Sequence, residues 1–175
     1  MAKIENTEVY GLKRAIRTAK YPKAVNLDQL NDELTKGIKA CANCDTGEGH
    51  DNFLKGIIVQ FDLTFSNKAW VEGERYHFLD FVSSQSTMHK ITKFDIKEQC
   101  NRYVDPRIID IVQEKINEYN RLLEYDRSHE KSIERKKQMD ELYLEILYNV
   151  PSGFELTAGM TTNYQQLKTI YQQRR

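Results

Sequence analysis

The stretch "VSSQSTMHKITKFDIKEQCNRYV", from Val82 to Val104, decides how the fold of this chain is interpreted. Its middle has few apolar side chains, and it is crowded with groups that donate, accept or titrate: Gln85, His89, Lys90, Lys93, Glu98, Arg102 and Tyr103. Such a loop is costly to order unless a partner from outside satisfies these groups. Histidine and lysine donate to phosphates, arginine grips a phosphate with two hydrogen bonds, and glutamine reads a base edge. The stretch therefore predicts an anion or nucleotide site, with a plain surface loop as the alternative.

The segments before this stretch have the pattern of β-strands. "GIIVQFDLTFS" alternates apolar side chains with polar ones, which predicts a half-buried strand. Its apolar positions are Ile57, Val59, Phe61, Leu63 and Phe65. "RYHFLDFV" is a second strand candidate, which "SNKAWVEGE" joins to the first.

Helical patterns lie on both sides of the strands. Upstream, "AVNLDQLNDELTKGIKA" predicts a helix with Asn26 as its N-cap. The residues on its apolar face are Leu27, Leu30, Leu34 and Ile38. Downstream, Asp105 followed by proline starts a second helix, a third runs from about Ser132 to Tyr148, and "TTNYQQLKTIYQQRR" is helical as well. Early strands with helices around them predict an α+β fold.

The composition is that of an ordinary globular protein. Its 26 basic side chains balance 26 acidic ones, so no global field attracts nucleic acid or a membrane. No apolar run is long enough to cross a bilayer, and "MAKIENTEVYG" lacks the apolar segment of a signal peptide. Three cysteines, an odd number, fit a reducing compartment better than a disulfide framework. We expect a cytoplasmic protein with no nucleic-acid or membrane partner, folded as one domain over residues 1–175.

The segment "CANC", with His50 downstream, raises the question of zinc. A structural zinc site needs four ligands, and the only other cysteine, Cys100, is far along the chain. We therefore predict no metal and interpret the segment as a loop. Fingerprints of the nucleophile elbow, the P-loop and dinucleotide-binding proteins are absent from the sequence.

Within the opening stretch, "MHKITK" is followed by "KEQCNRY". Together they resemble the signature R-H-R-x-x-S-x-N-E-x-S-x-R-Y of the flavin-dependent thymidylate synthases, the ThyX family, with two extra residues between the two parts. The matching residues are His89, Glu98, Arg102 and Tyr103. The replaced positions are Met88 and Lys90 for two arginines, and Lys93 and Cys100 for two serines. Just before them, "FVSSQ" is similar to the family's F-V-x-R-Q and keeps Gln85.

The resemblance continues along most of the chain in the family's order. "AIRTAK" resembles the early A-x-R-x-A-R/S segment, and "GHDNFLKGIIVQFDL" keeps His50 of G-H-x-T-P-F-E-H. Near the end, "VPSGFELTAGMTTNYQQLKTIYQQR" is similar to L-P … T-x-N-x-R-x-L … R, with Gln165 in place of an arginine. The matching residues there are Pro151, Thr161, Asn163, Leu167 and Arg174.

This resemblance implies a homotetrameric α+β enzyme, with an antiparallel sheet flanked by helices, that binds FAD and dUMP between subunits. It would methylate dUMP to dTMP with a methylene-tetrahydrofolate and reduced nicotinamide (NADPH). The residues implied near FAD are His50, His89, Lys90, Lys93 and Asn163. Those implied near the nucleotide are Gln85, Glu98, Cys100, Arg102 and Arg174. Arg174 is also the expected catalytic residue, because an arginine beside the pyrimidine stabilises charge developing on the ring.

The departures from the family pattern fall on the functional positions. Met88 cannot donate to a phosphate, and Ser84, Leu147 and Gln165 stand where arginines are usual. Each lost charge-assisted hydrogen bond weakens ligand binding by about 1.5–3 kcal/mol. The chain ends directly after the last matching arginine, so we expect the family's C-terminal segment to be missing. The alternative hypothesis is therefore an inactive ThyX-like module that binds a nucleotide or another protein.

Overall fold

The computed structural model describes residues 2–45 and 47–174. Within them, the strands β1 (Lys3–Tyr10), β2 (Ile58–Ser66), β3 (Asp80–Ser84) and β4 (Glu155–Asn163) form one antiparallel sheet in the order β1-β2-β4-β3. The α-helices are α1 (Leu12–Thr18), α2 (Lys36–Ala42), α3 (Asn67–Gly73), α4 (Thr87–Lys90), α5 (Ile96–Gln99), α6 (Pro106–Ser128), α7 (Ile133–Asn149) and α8 (Tyr164–Arg174). The predicted α+β fold class is confirmed.

The pairing of β2 with β4 shows the antiparallel register. The hydroxyls of Thr64 and Thr157 lie 2.8 Å apart, and the Tyr164 N–H donates to the Ile57 carbonyl at 3.1 Å. Later residues of β4 thus meet earlier residues of β2, as an antiparallel ladder requires.

The chain divides into two compact units. We call the part formed mainly by Thr64–Arg75 and Ser84–Ala158 the hairpin unit. The other part, formed by Ile4–Leu63, Tyr76–Ser83 and Gly159–Arg175, is called the terminal unit.

The hairpin unit is built around helices α6 and α7. The Asp105 carboxylate accepts the N–H of Arg107 at 2.9 Å and caps α6, and Ser132 accepts the N–H of Arg135 and caps α7. Between the helices and the polar loop lies a buried apolar core: Ile91, Ile96, Val112, Ile116, Leu142, Ile146 and Phe154. No helix within residues 2–45 and 47–174 combines the length and the apolarity needed to cross a membrane.

In the terminal unit a small apolar cluster and a buried ion pair hold α1, α8 and the segment before β2. Ala15, Leu54 and Ile57 are each almost fully buried. The Lys168 ammonium on α8 lies 2.8 Å from the Asp51 carboxylate, whose side chain is only 5% exposed.

Most predicted elements agree with the structure. The strand predicted from the alternation is β2, and its buried residues are Val59, Phe61 and Leu63. The cap predicted for α6 is present, α7 begins within one residue of its predicted start, and α8 covers most of the final helical segment. The second predicted strand is shorter than expected, because regular pairing begins only at Asp80.

The predicted helix through Leu27 and Ile38 is wrong. Asn26 does cap a turn, but that turn is a single 3₁₀ turn, Leu27–Gln29, and α2 starts only at Lys36. Between these two elements, backbone groups form hydrogen bonds with side chains instead of the bonds of a helix. The Asn31 side chain accepts the Glu33 N–H at 3.3 Å, and the Lys20 ammonium donates to the Asn31 carbonyl at 3.1 Å. Local side-chain hydrogen bonds of this kind compete with helix formation.

Candidate functional site

The polar stretch of the hairpin unit is ordered by buried anchors. Ile91 and Ile96 have no exposed surface, and they fix α4, a 3₁₀ turn at Ile91–Lys93 and α5 in succession. The side chains between and beside these anchors face solvent: His89, Lys90, Lys93 and Glu98. Asp95 caps α5 by accepting the N–H groups of Lys97 and Glu98 at 2.9 and 3.0 Å. Asp95 therefore stabilises the loop itself, while the cationic side chains of Lys90 and Lys93 are exposed to solvent.

Gln85 lies immediately after β3 and extends its pairing with β4. Its N–H donates to the Thr157 carbonyl at 3.0 Å, and its side-chain oxygen accepts the Thr157 N–H at 3.0 Å. The side-chain NH₂ group retains the donors that a base carbonyl requires.

Arg102 is exposed and rests against its neighbour Tyr103. Its Nη2 donates to the tyrosine hydroxyl at 2.7 Å, and the guanidinium carbon lies 4.9 Å from the ring centroid. The guanidinium has five N–H donors, so this contact leaves others for an anion. Ion pairs between described side chains of this unit include Lys115–Glu145 and Arg135–Asp126. Both of these pairs link α6 to α7.

Cys100 is half-buried and packs against the core of the hairpin unit. Burial, together with the smaller effect of the nearby Glu155 carboxylate, raises the pKa of its thiol to about 11. The side chain is therefore a neutral thiol near pH 7, which disfavours it as a nucleophile. This agrees with its interpretation as a contact residue.

Two predicted residues of the terminal unit take part in its own packing. The Asn163 side-chain oxygen accepts the Gln166 N–H at 3.0 Å, as an N-cap does at the start of α8. At the other end of α8, the Arg174 guanidinium lies 5.3 Å from the centroid of the Tyr76 ring. The Tyr76 hydroxyl donates to Gln173.

Gln165, at the position of a family arginine, donates to the Asp51 carboxylate at 2.9 Å. Burial raises the pKa of Asp51, but hydrogen bonds from Lys168 and Gln165 outweigh it and hold that pKa below its ordinary value. Asp51 is therefore a buried carboxylate satisfied by two donors.

His50 is exposed and lines a cavity of about 990 Å³ in the terminal unit. Lys20, Lys23, Thr35, Cys41, Cys44 and Asn52 also line it. The sequence singled out His50 but not Lys23 or Thr35. Thr35 lay inside the segment that was predicted as one continuous helix, and Lys23 precedes that segment and belongs to no motif. Among the described residues, no group of three or more His, Cys, Asp or Glu side chains is placed to hold a metal ion.

The fold matches those of several solved structures at low sequence identity. A crystal structure of thymidylate synthase X (ThyX) from Helicobacter pylori with FAD and dUMP matches with a TM-score of 0.64 and 12% identity, covering 99% of this chain and 84% of that one. A second structure of the Helicobacter pylori enzyme with FAD and dUMP has a TM-score of 0.61 at 12% identity, covering 95% and 81%. The UMP/dUMP methylase PolB from Streptomyces cacaoi, bound with 5-Br dUMP, has a TM-score of 0.55 at 12% identity, covering 95% and 75%.

The similarity is one of structure, because no protein-family model and no curated protein matches the sequence. At 12% identity it establishes the fold alone. The fold expected from the motifs is confirmed: this chain has the architecture of the ThyX thymidylate synthases.

Proposed function

We propose that this chain binds FAD and dUMP and that the assembled protein methylates dUMP to dTMP. The observation that carries the proposal is the exposed cationic loop of the hairpin unit in a ThyX fold. Its exposed donor side chains are His89, Lys90, Lys93 and Arg102. Exposed cations are suited to bind phosphates when a buried core anchors the short helices that carry them. Few existing hydrogen bonds of these side chains have to break when the phosphate binds.

The donor set fits the anionic part of FAD. The diphosphate needs hydrogen-bond donors, which imidazole and ammonium groups supply, and Lys90 and Lys93 compensate for the methionine at position 88. The cavity at His50 is at the upper end of the sizes found for small-molecule sites, about 300–1,000 Å³. A bound flavin would supply hydride transfer. NADPH and methylene-tetrahydrofolate would be the co-substrates.

The chain's own groups would hold and orient dUMP. The NH₂ group of Gln85 donates to a uracil carbonyl, and the guanidinium of Arg102 binds the 5′-phosphate. Glu98 and Cys100 complete the nucleotide contacts. Arg174 would polarise a pyrimidine carbonyl, a role that requires its guanidinium to leave the ring of Tyr76.

A homotetramer is part of this proposal. The edge strands β1 and β3 have no buried residue. Several of their apolar side chains are well exposed: Ile4, Val9, Tyr10, Phe81 and Val82. Exposed apolar edge strands favour association with another chain. Light scattering on the purified protein tests the expected mass of four chains.

The first test is the visible absorption spectrum of the protein before and after addition of FAD, followed by titration with dUMP. We expect a flavin band that dUMP perturbs. Arg102→Ala should weaken dUMP binding about 10- to 150-fold, the equivalent of one charge-assisted contact of about 1.5–3 kcal/mol. Arg127→Ala, an exposed arginine of the same unit outside the loop, is the matched control.

His89→Ala should weaken FAD more than dUMP, with His129→Ala as its control. The opposite order would mean that the two subsites are assigned backwards. Unchanged dUMP affinity in Arg102→Ala would remove the nucleotide site from this loop.

A second candidate function is a module that binds a nucleotide or another protein without chemistry. The contact of Gln165 with Asp51 favours it, because a position that carries an arginine in the family here stabilises the protein's interior. This candidate predicts dUMP binding by a colourless protein that does not take up FAD.

A further inference from the structure

Two cysteines open into the cavity of the terminal unit. Cys41 lies in the last turn of α2 and Cys44 follows the helix, as the two ends of the "CANC" segment. Both are free thiols of intermediate exposure, and both line the cavity. The proposed synthase chemistry uses neither of them.

The backbone between the two cysteines is already folded into a turn. The N–H of Cys44 donates to the carbonyl of Cys41 at 3.3 Å. Such a turn keeps the Cα atoms of its ends within about 7 Å, and disulfides are formed at Cα separations of about 4.4–6.8 Å. A disulfide therefore needs only side-chain rotation and a small backbone adjustment.

The far side of this turn is anchored. The Lys168 ammonium donates to the Cys44 carbonyl at 2.5 Å and forms the buried ion pair with Asp51 at 2.8 Å. The turn is therefore anchored to α8 through Lys168, and its two cysteines line the cavity. Fixed thiols lose less conformational entropy when they are joined than thiols on a mobile segment.

The remaining lining of the cavity indicates which oxidant it would admit. Lys20 and Lys23 line it, and none of the described residues that line it carries a carboxylate. The cavity thus favours a small anionic molecule. Glutathione disulfide is such a molecule, because its carboxylates outnumber its ammonium groups, and it is the natural oxidant of thiols in a reducing compartment.

We propose that Cys41 and Cys44 form a thiol–disulfide exchange site that takes small anionic disulfides of the glutathione class. The thiolate of one cysteine attacks the disulfide, forms a mixed disulfide and releases one glutathione thiolate. The thiolate of the other cysteine then attacks the protein sulfur of that bond and releases the second glutathione. The dithiol is oxidised by two electrons, glutathione disulfide is reduced to two thiols, and the protons of the protein thiols balance the products.

The test uses the full chain, reduced and then incubated with glutathione disulfide. Free thiols are alkylated at intervals, and the peptides are mapped by mass spectrometry. We expect a peptide linked between Cys41 and Cys44. Cys100, whose thiol is half-buried and protonated, should stay reduced and free of glutathione, and it should be alkylated once the protein is unfolded. Cys41→Ser and Cys44→Ser should each stop at the mixed disulfide.

The charge of the cavity is tested separately. The double variant Lys20→Ala with Lys23→Ala should react with glutathione disulfide about tenfold more slowly, with an unchanged rate toward the neutral hydroxyethyl disulfide. If that variant does not fold, the salt dependence of the native rate serves instead, and salt should slow only the anionic disulfide. Equal effects on both disulfides would overturn the charge argument. Three unreacted thiols, or glutathione found mainly on Cys100, would overturn the site itself. The assay is run with and without added FAD, so that protection of the cavity by a flavin is distinguished from the absence of the exchange site.

Discussion

Replacing Lys168 with methionine tests the buried ion pair that holds the His50–Asn52 segment of the cavity. Removing one partner of a buried pair costs about 3–5 kcal/mol, because the other charge stays buried without compensation. The Asp51 side chain is 5% exposed and that of Lys168 is 17% exposed, so little water replaces the ammonium. Gln165, which donates to Asp51 at 2.9 Å in the native chain, should offset part of this cost. We therefore expect a loss of about 2–4 kcal/mol in the free energy of unfolding.

Urea unfolding followed by circular dichroism measures this loss. Lys13→Met, at an exposed lysine on α1, is the matched control and should change stability by less than about 0.5 kcal/mol. The double variant Asp51→Asn with Lys168→Met removes both charges and should recover part of the loss.

The pH dependence follows from the lowered pKa of Asp51. A carboxylate whose pKa is lower in the folded state stabilises the fold above its unfolded pKa, about 3.9, and this stabilisation is lost as the pH falls through the folded value. The difference between the native protein and Lys168→Met should therefore shrink below about pH 4. A loss under about 1 kcal/mol at neutral pH, or a loss independent of pH, would refute the reasoning.

Three further predictions concern other parts of the molecule. Ile146→Ala removes a side chain with no exposed surface from the α6–α7 core and should cost about 2–5 kcal/mol in urea unfolding, whereas Ile133→Ala, at a side chain that is 92% exposed, should be nearly neutral. The pKa of Cys100 is raised to about 11, so the rate of its alkylation should increase up to that pH. The contribution of its protonated thiol to the stability of the fold should be lost as the pH rises from about 8.5 toward 11. Alkylation that levels off near about pH 8.5 would contradict this. Asn163→Ala should lose the cap of α8 and about 0.5–2 kcal/mol, and Asn163→Ser should restore the stability; if Asn163 also contacts FAD, flavin affinity falls in both variants.

Local sequence patterns predicted much of the fold. The alternation that begins at Ile57 predicted β2, and Asp105 and Ser132 predicted where two long helices begin. Strand β4 was not predicted, because its buried positions, Ala158, Met160 and Thr162, alternate with small or polar residues and give little contrast in hydropathy.

The failed helix at Leu27 shows the limit of periodicity. Apolar residues at helical spacing were present. The Asn31 side chain nevertheless accepts a backbone N–H, and the Lys20 ammonium donates to a backbone carbonyl, in place of helical hydrogen bonds. Periodicity describes which side chains share a face, and it does not report whether the backbone has a better hydrogen-bond partner elsewhere.

The sequence by itself determined the α+β class, the ordered ThyX-like motifs and the exposed cations of the polar loop, because these depend on neighbours within a few positions. Tertiary structure alone decided the environments of the candidate groups. Asp51 and Lys168 are 117 positions apart, and the burial that raises the pKa of Cys100 comes from packing against distant elements. Contacts between such distant residues leave no local pattern, so only the folded chain shows which groups face a ligand and which stabilise the interior.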